Sequence, residues 1–448
     1  MSQNLADIQT KAIAEKPTKF RWVVAGLIFL VYTIAAADRA NMGMALPFIR
    51  KEFQMSNTEA GALVSFFLLA YAIAQIPSGF AYSKFGVRKI FSFAMIMTSI
   101  FTGLIGSSSS PLMMKIYRFG LGLAEGPLPI GITSTINNWF PPREKGFATG
   151  LFLSAAKFGP VLVPPICALI IQISSWHYIF YWFALPGIFL SVVWYILVKN
   201  HPSESPYCSA GEVKYIESEQ TGQRAAVQKK PYSLRWLDRL IRARKADPLD
   251  TNARVFGSWN IWGSTLGYFF MMGITNVLLA WIPTYLIDVK HFTIMKMGFV
   301  ASAPWMGAVV GNMLGGWFSD NVINKRRKPL IMVSSLSTVF MMYALINAPN
   351  EPILLGTLLF VTGILMNFGF SAYMVYPMGL TTKKTFPIAG SVINTGGQLG
   401  GACAPLIAGM ILDAYSWDAV FMFLAASSLA SLLLISTITE PVEDPLNT

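Results

Sequence analysis

The stretch Arg118-Phe119-Gly120-Leu121-Gly122-Leu123-Ala124-Glu125-Gly126-Pro127-Leu128-Pro129-Ile130-Gly131 decides how the chain is read. It lies inside an apolar segment from about Leu112 to Trp139, long enough to cross a bilayer. The segment carries a cation and an anion, Arg118 and Glu125, at positions i and i+7. On a helix those positions share one face, roughly 10 Å apart along the axis. A charge at bilayer depth costs roughly 2.5–3.5 kcal/mol on insertion scales, so two on one face call for a shared polar interior. Gly120, Gly122, Gly126 and Gly131 leave little side chain, which lets other helices approach closely. The stretch therefore reads as a helix lining the water-filled cavity of a membrane transporter.

Composition agrees with a cavity enclosed by membrane helices. The chain has 448 residues, 54% hydrophobic and 12% charged, where a soluble protein carries about 25% charged residues. Its mean hydropathy is +0.51. A net charge of +12 raises the question of nucleic acid. The cations sit in loops between apolar spans, as membrane topology requires, so nucleic-acid binding is excluded. Cys167 and Cys403 lie in apolar segments and Cys208 in a loop, which is neither a disulfide framework nor a metal site. The polar segment Met1 to Lys19 does not read as a signal peptide.

Twelve apolar spans follow one another at about 22–47, 59–83, 88–106, 112–139, 146–173, 177–198, 255–287, 297–320, 329–347, 352–380, 386–412 and 417–438. The expected fold is an all-α polytopic membrane protein of twelve transmembrane helices in two six-helix halves. The N-terminal half is 22–198 and the C-terminal half 255–438. An N-tail (1–21), a central loop (199–254) and a C-tail (439–448) complete the chain. Arg39, Lys115, Arg118 and Lys157 lie within spans; of the remaining cations only Arg50, Lys51, Lys290 and Lys296 fall in loops on the side away from the termini. This bias puts both termini in the cytoplasm of a bacterial inner membrane. In the central loop, apolar residues at Leu234, Leu237, Leu240 and Ile241 form a helical stripe, which predicts a short amphipathic helix at the cytoplasmic surface.

The two halves share an internal echo. Gly79-Phe-Ala-Tyr-Ser-Lys84-Phe-Gly86-Val-Arg88-Lys89 follows the second span, and Gly316-Trp-Phe-Ser-Asp320 with Lys325-Arg-Arg-Lys328 follows the eighth. Both resemble the signature loop of the major facilitator superfamily, the first with Ser83 where an acid is usual. Further along stand Asp38-Arg39 with Asn41 and Ala45-Leu-Pro47; Arg118 to Gly126; Asn138-Trp-Phe-Pro-Pro-Arg143-Glu144-Lys-Gly146; Trp281-Ile-Pro-Thr-Tyr-Leu286; and Asn394-Thr-Gly-Gly-Gln-Leu-Gly-Gly401 before Pro405 and Gly409. In that order they resemble the anion:cation symporter family of the superfamily, whose members include proton-coupled carriers of galactonate, glucarate and hexuronates. The resemblance implies two halves that rock about a central site, and it spans essentially the whole chain.

The deep charges Asp38, Arg39, Arg118, Glu125 and Lys157 all belong to the N-terminal half, while the C-terminal spans offer neutral polar groups. Charge recognition and proton traffic are therefore expected in the first half and hydroxyl recognition in the second. Arg39 is the first candidate for a substrate carboxylate, because a guanidinium matches it bidentately and keeps its charge; the alternative is a structural ion pair with an acid on another helix. Glu125 is the candidate proton carrier and Asp38 the second, with Asp38 and Arg118 read as a pair between spans 1 and 4. Lys157 departs from the sugar-acid relatives, which resemble it elsewhere but tend to have a neutral polar residue there. It is expected to contact an anionic substrate, to reach a water-filled crevice or to pair with Glu125. Tyr71, Ser371, Tyr373, Asn394 and Thr395 match substrate-wall positions that the resemblance implies.

No nucleophile, phosphate loop or metal cluster is visible, so the chain reads as a carrier rather than an enzyme, without a cofactor and with the proton as coupling ion. The expected partners are a small organic anion, protons and the lipid bilayer, and a monomer is expected. The substrate class that the resemblance implies is a sugar acid; an aromatic or other carboxylic acid, or export of drugs and metabolites, is the alternative.

Overall fold

The computed structural model describes residues 18–218, 235–245, 247–382 and 384–442. The first half runs α1 (Phe20–Glu52), α2 (Asn57–Phe85), α3 (Val87–Gly106), α4 (Pro111–Glu125), α5 (Leu128–Trp139), α6 (Pro142–Ile173) and α7 (Trp176–Leu197). The central segment contributes α8 (Ala210–Ser218), α9 (Arg235–Leu240), β1 (Ala243–Arg244) and α10 (Asn252–Gly257). The second half runs α11 (Trp259–Asp288), α12 (Ile294–Asn321), α13 (Lys328–Ile346), α14 (Pro352–Asn367), α15 (Ala372–Val375), α16 (Phe386–Ala414) and α17 (Trp417–Thr437), with β2 (Glu440–Pro441) after it.

Among the described residues eleven segments are long and apolar enough to cross a membrane. The twelfth crossing is the segment quoted first. Pro127 cannot donate a backbone hydrogen bond, and the helix divides there into α4 and α5, each too short to span alone. Together they complete the twelve-helix fold. The tenth span also breaks, between Asn367 and Ala372.

Helix caps follow from local chemistry. Ser56 accepts from the Glu59 N–H while Glu59 reaches back to the Ser56 N–H, closing a capping box on α2. Thr293 and Ser416 cap α12 and α17 in the simpler way.

We call the end of the bundle carrying residue 18, the central segment and residue 442 the terminal face. The halves meet along three helix pairs, α1 with α11, α2 with α16 and α6 with α12. Toward the opposite face the seam is tight. A Cβ at Gly43 on α1 would stand 2.3 Å from the Leu279 carbonyl oxygen, and one at Gly61 on α2 would stand 2.5 Å from that of Pro405. Only glycine permits these approaches. Arg50 pairs with Asp288 there, and Asp413 accepts from the backbone and side chains of Asn57 and Thr58 at 2.6–2.8 Å. Toward the terminal face glycines of these helices have no such neighbours across the seam. Added Cβ atoms at Gly79, Gly150 and Gly316 would meet nothing within 4 Å.

The central segment is docked at both ends. Buried Glu212 on α8 accepts from Thr18, from the backbone of Phe20 and Arg21, and from the Arg21 guanidinium. Arg21 also holds Glu144. On the other half, Arg326 grips Asp238 of α9 with both Nε and Nη2. The stripe expected over 234–244 is thus a one-turn helix plus a strand, with Leu237 and Ile241 buried against Ile323 and Leu330; Leu234 lies outside the described residues.

Candidate functional site

α1, α2 and α4 pack together in the middle of the first half and bring its charges to one place. Arg39 on α1 donates to Glu125 Oε1 on α4 from Nε at 2.9 Å and from Nη2 at 2.6 Å. The guanidinium lies 4.6 Å from the ring centre of Tyr71 on α2, a cation–π contact that fixes its plane. Arg118, one per cent exposed, donates to the Leu63 carbonyl at 3.2 Å and lies 4.4 Å from the Phe67 ring. Close packing of α4 on α2 makes this possible: a Cβ at Gly122 would stand 2.2 Å from the Phe67 carbonyl oxygen.

The expected Asp38–Arg118 pair is corrected. Asp38 accepts from Asn41 at 3.1 Å, and the ion pair joining spans 1 and 4 is Arg39–Glu125. Successive helix residues point about 100° apart, so Arg39 and Asp38 take different partners, Glu125 on α4 for the first and Asn41 on α1 itself for the second. Two buried atoms of the charged side chains here, Glu125 Oε2 and Arg118 Nη1, make no hydrogen bond with a protein group. Buried polar atoms of charged groups are costly to leave without a partner, so these two are open to a further ligand or water.

Arg39, Phe67 and Arg118 border a small cavity whose other wall is Asn276, Leu279 and Ala280 of α11. The cavity therefore lies on the seam between halves. Lys157 on α6 crosses the same seam. Its ammonium donates to Asn367 Oδ1 at 3.2 Å and sits 4.5 Å from the Phe370 ring centre, both at the break after α14. It does not pair with Glu125, which Arg39 holds.

The C-terminal candidates divide. Asn394 on α16 donates to Gln75 of α2 across the seam at 3.3 Å. Thr395 is half-buried beside it and Ser371 is exposed at the α14–α15 break. Tyr373 departs from the expectation. Its side chain is buried in the second half, with its hydroxyl 2.8 Å from Ser431 and its ring 5.2 Å from Tyr268. Sequence reasoning missed Phe67, Gln75 and Phe370. The first two stand four residues either side of Tyr71, so the helical repeat that marks Tyr71 marks them too. Among the described residues no group of His, Cys, Asp and Glu forms a metal site.

The Major Facilitator Superfamily model matches residues 28–402 and 352–448. The chain belongs to that superfamily. It is a multi-pass membrane transport protein and not an enzyme. Among its relatives are the "Probable galactarate/D-glucarate transporter" of Escherichia coli (strain K12), 28% identical over 94% of each chain, and that of Bacillus subtilis (strain 168), 26% identical over 98% of this chain and 96% of that one. A D-galactonate transporter of Escherichia coli O6:H1 is 26% identical over 94% of this chain and 96% of that one. Solved structures share the fold at low identity. A D-xylose-proton symporter superposes with a TM-score of 0.72 at 15% identity, covering 96% of this chain and all of that one. A bacterial homologue of the lysosomal transporter Spinster, inward-facing and unoccupied, gives 0.71 at 16% identity, over 94% of each chain.

Proposed function

We propose that this protein imports a sugar acid, an aldarate, aldonate or hexuronate, together with protons, by alternating access across a bacterial inner membrane. The observation that carries the reading is the Arg39–Glu125 pair beside a cavity at the seam. A carboxylate substrate and Glu125 compete for one guanidinium. Protonation of Glu125 frees Arg39 for the anion, and loss of that proton returns Arg39 to Glu125, so substrate and proton travel together. Neutral polar groups on the facing half, Asn276 and Asn394 among them, suit hydroxyl recognition. The names of the relatives, carriers of galactarate, D-glucarate and D-galactonate, support the substrate class. Cation-rich connections at the terminal face support its being cytoplasmic, and a seam closed on the opposite side supports an inward-open state.

The test is uptake into proteoliposomes under an imposed pH gradient, beside counterflow in the same vesicles. Glu125→Gln mimics the protonated carboxyl and leaves the cations in place. It should bind substrate and exchange labelled for unlabelled substrate, yet fail to concentrate it. A Glu125→Gln protein that still drives uptake uphill makes Glu125 structural and leaves Asp38 as the proton carrier.

A further inference from the structure

Lys157, like Arg118 and Asp38 at the centre of the bundle, makes no ion pair among the described residues, and it alone of these three takes its partners from the other half. Glu125 is held by Arg39 and Asp38 by Asn41. The lysine instead bonds an amide oxygen and faces an aromatic ring, both from the other half. An amide and a ring face satisfy an ammonium without neutralising it. The five central groups, Arg39, Arg118 and Lys157 against Asp38 and Glu125, carry a formal excess of one positive charge. With one carboxyl protonated the excess becomes two. A monoanion travelling with one proton leaves one of those charges standing. A dianion travelling with one proton balances both.

We propose that Lys157 is the specificity-determining residue for a substrate with two anionic ends, a dicarboxylate or sulfocarboxylate. One end engages Arg39 on α1. The other engages Lys157 on α6, the helix packed beside it. The inference rests on the reading of the site as an organic-anion carrier and narrows it. In binding, the second anionic group replaces Asn367 as the partner of Lys157. The charge at one end of the ligand is then read at the seam, where the two halves meet.

The experiment measures binding to purified full-length wild type, Lys157→Gln and Lys157→Arg by calorimetry. The ligands are matched pairs that differ in the number of anionic ends, gluconate against glucarate and butyrate against succinate. Wild type should favour the dianion of any pair it binds by at least tenfold. Lys157→Gln, which can still bond Asn367, should bring that ratio to about one by weakening the dianion alone, with monoanion affinity within about twofold. Lys157→Arg keeps the charge and should keep the preference. A wild type without dianion preference, an unchanged ratio in Lys157→Gln, or equal loss in both variants overturns the inference. Binding of the succinate pair but not the hydroxylated pair sinks the sugar-acid reading while the ratio still decides the role of Lys157. Binding of none of the four overturns both.

Discussion

Arg39 shows what a single side chain contributes here and how far it was legible. An arginine in an apolar span announces a function because its charge is costly in lipid and cannot be shed. The sequence pointed to Arg39 and Glu125 on that ground, and to Lys157 on the same one. It did not say which acid faces which cation. Helix rotation decides that, and rotation depends on packing against neighbours such as Gly122, which lets α4 close on α2. Tyr373 failed for the related reason that a polar span residue can serve a helix neighbour as readily as a ligand; its hydroxyl serves Ser431. The geometry sharpens the expected behaviour of Arg39→Lys. Lysine retains the charge but loses the fork on Glu125 and the flat stack on Tyr71. A charged hydrogen bond contributes about 1.5–3 kcal/mol, so substrate affinity should fall roughly tenfold to a hundredfold. Calorimetry on the purified variant, with its melting temperature recorded alongside, measures this. Affinity within twofold of wild type would remove Arg39 from the binding site. Arg39→Ala should abolish uptake, but it also strands Glu125 without its partner, so the lysine variant is the sharper probe.

At the scale of elements, the twelve spans were readable to within a few residues because apolar length is a strong signal. The central connection was not. Its composition suggested a surface helix, yet its described parts dock through charges whose partners lie far away in sequence. Glu440 shows this best. It is two per cent exposed and accepts the N–H groups of Arg327 and Lys328 while β2 pairs with β1. Lys328 beside it is fully buried and donates to the carbonyls of Ile241, Ser436 and Ile438. Burial pushes the Glu440 carboxyl up to about 7, against the opposing pull of those N–H groups and of the Lys328 and Arg326 cations. A raised carboxyl means that the folded protein binds more protons than the unfolded chain between the usual carboxyl range and pH 7. Stability from this group is therefore complete at acid pH and lost as pH rises toward and past 7, by up to about 3 kcal/mol. Glu440→Gln removes the titration. The melting temperature of wild type relative to Glu440→Gln should thus fall from pH 5 to pH 8. A difference that stays flat, or rises, would show that the cations keep Glu440 ionised throughout.

For the whole molecule the question is what holds the halves in one arrangement. The tight part of the seam is α1 against α11, α2 against α16 and, at Gly298, α12 against α6, closed by close backbone approach and by a few polar clamps. Neither Gly43 nor Gly61 stands out in the sequence, because the backbones they let approach, Leu279 and Pro405, lie on the other half. Asp413, in the last turn of α16, caps the start of α2 by accepting from Asn57 and Thr58. An acid at a helix N-terminus satisfies donors that the helix cannot and meets the positive end of its dipole. Here the cap comes from the opposite half, so it exists only while that face is closed. Opening the face must break it together with the Arg50–Asp288 pair. Asp413 is solvent-exposed, so screening reduces its contribution to roughly 1 kcal/mol. That is about a fivefold change in the ratio of closed to open forms. Asp413→Ala should shift the protein by this much toward the form open on the opposite face. Spin labels at Ser109→Cys and Glu351→Cys, in loops of the two halves on that face, report it as growth of a longer-distance population. Unchanged distance distributions in Asp413→Ala would mean that the glycine-permitted backbone packing alone sets the closed state, and that the cap follows the closure of the halves without contributing to it.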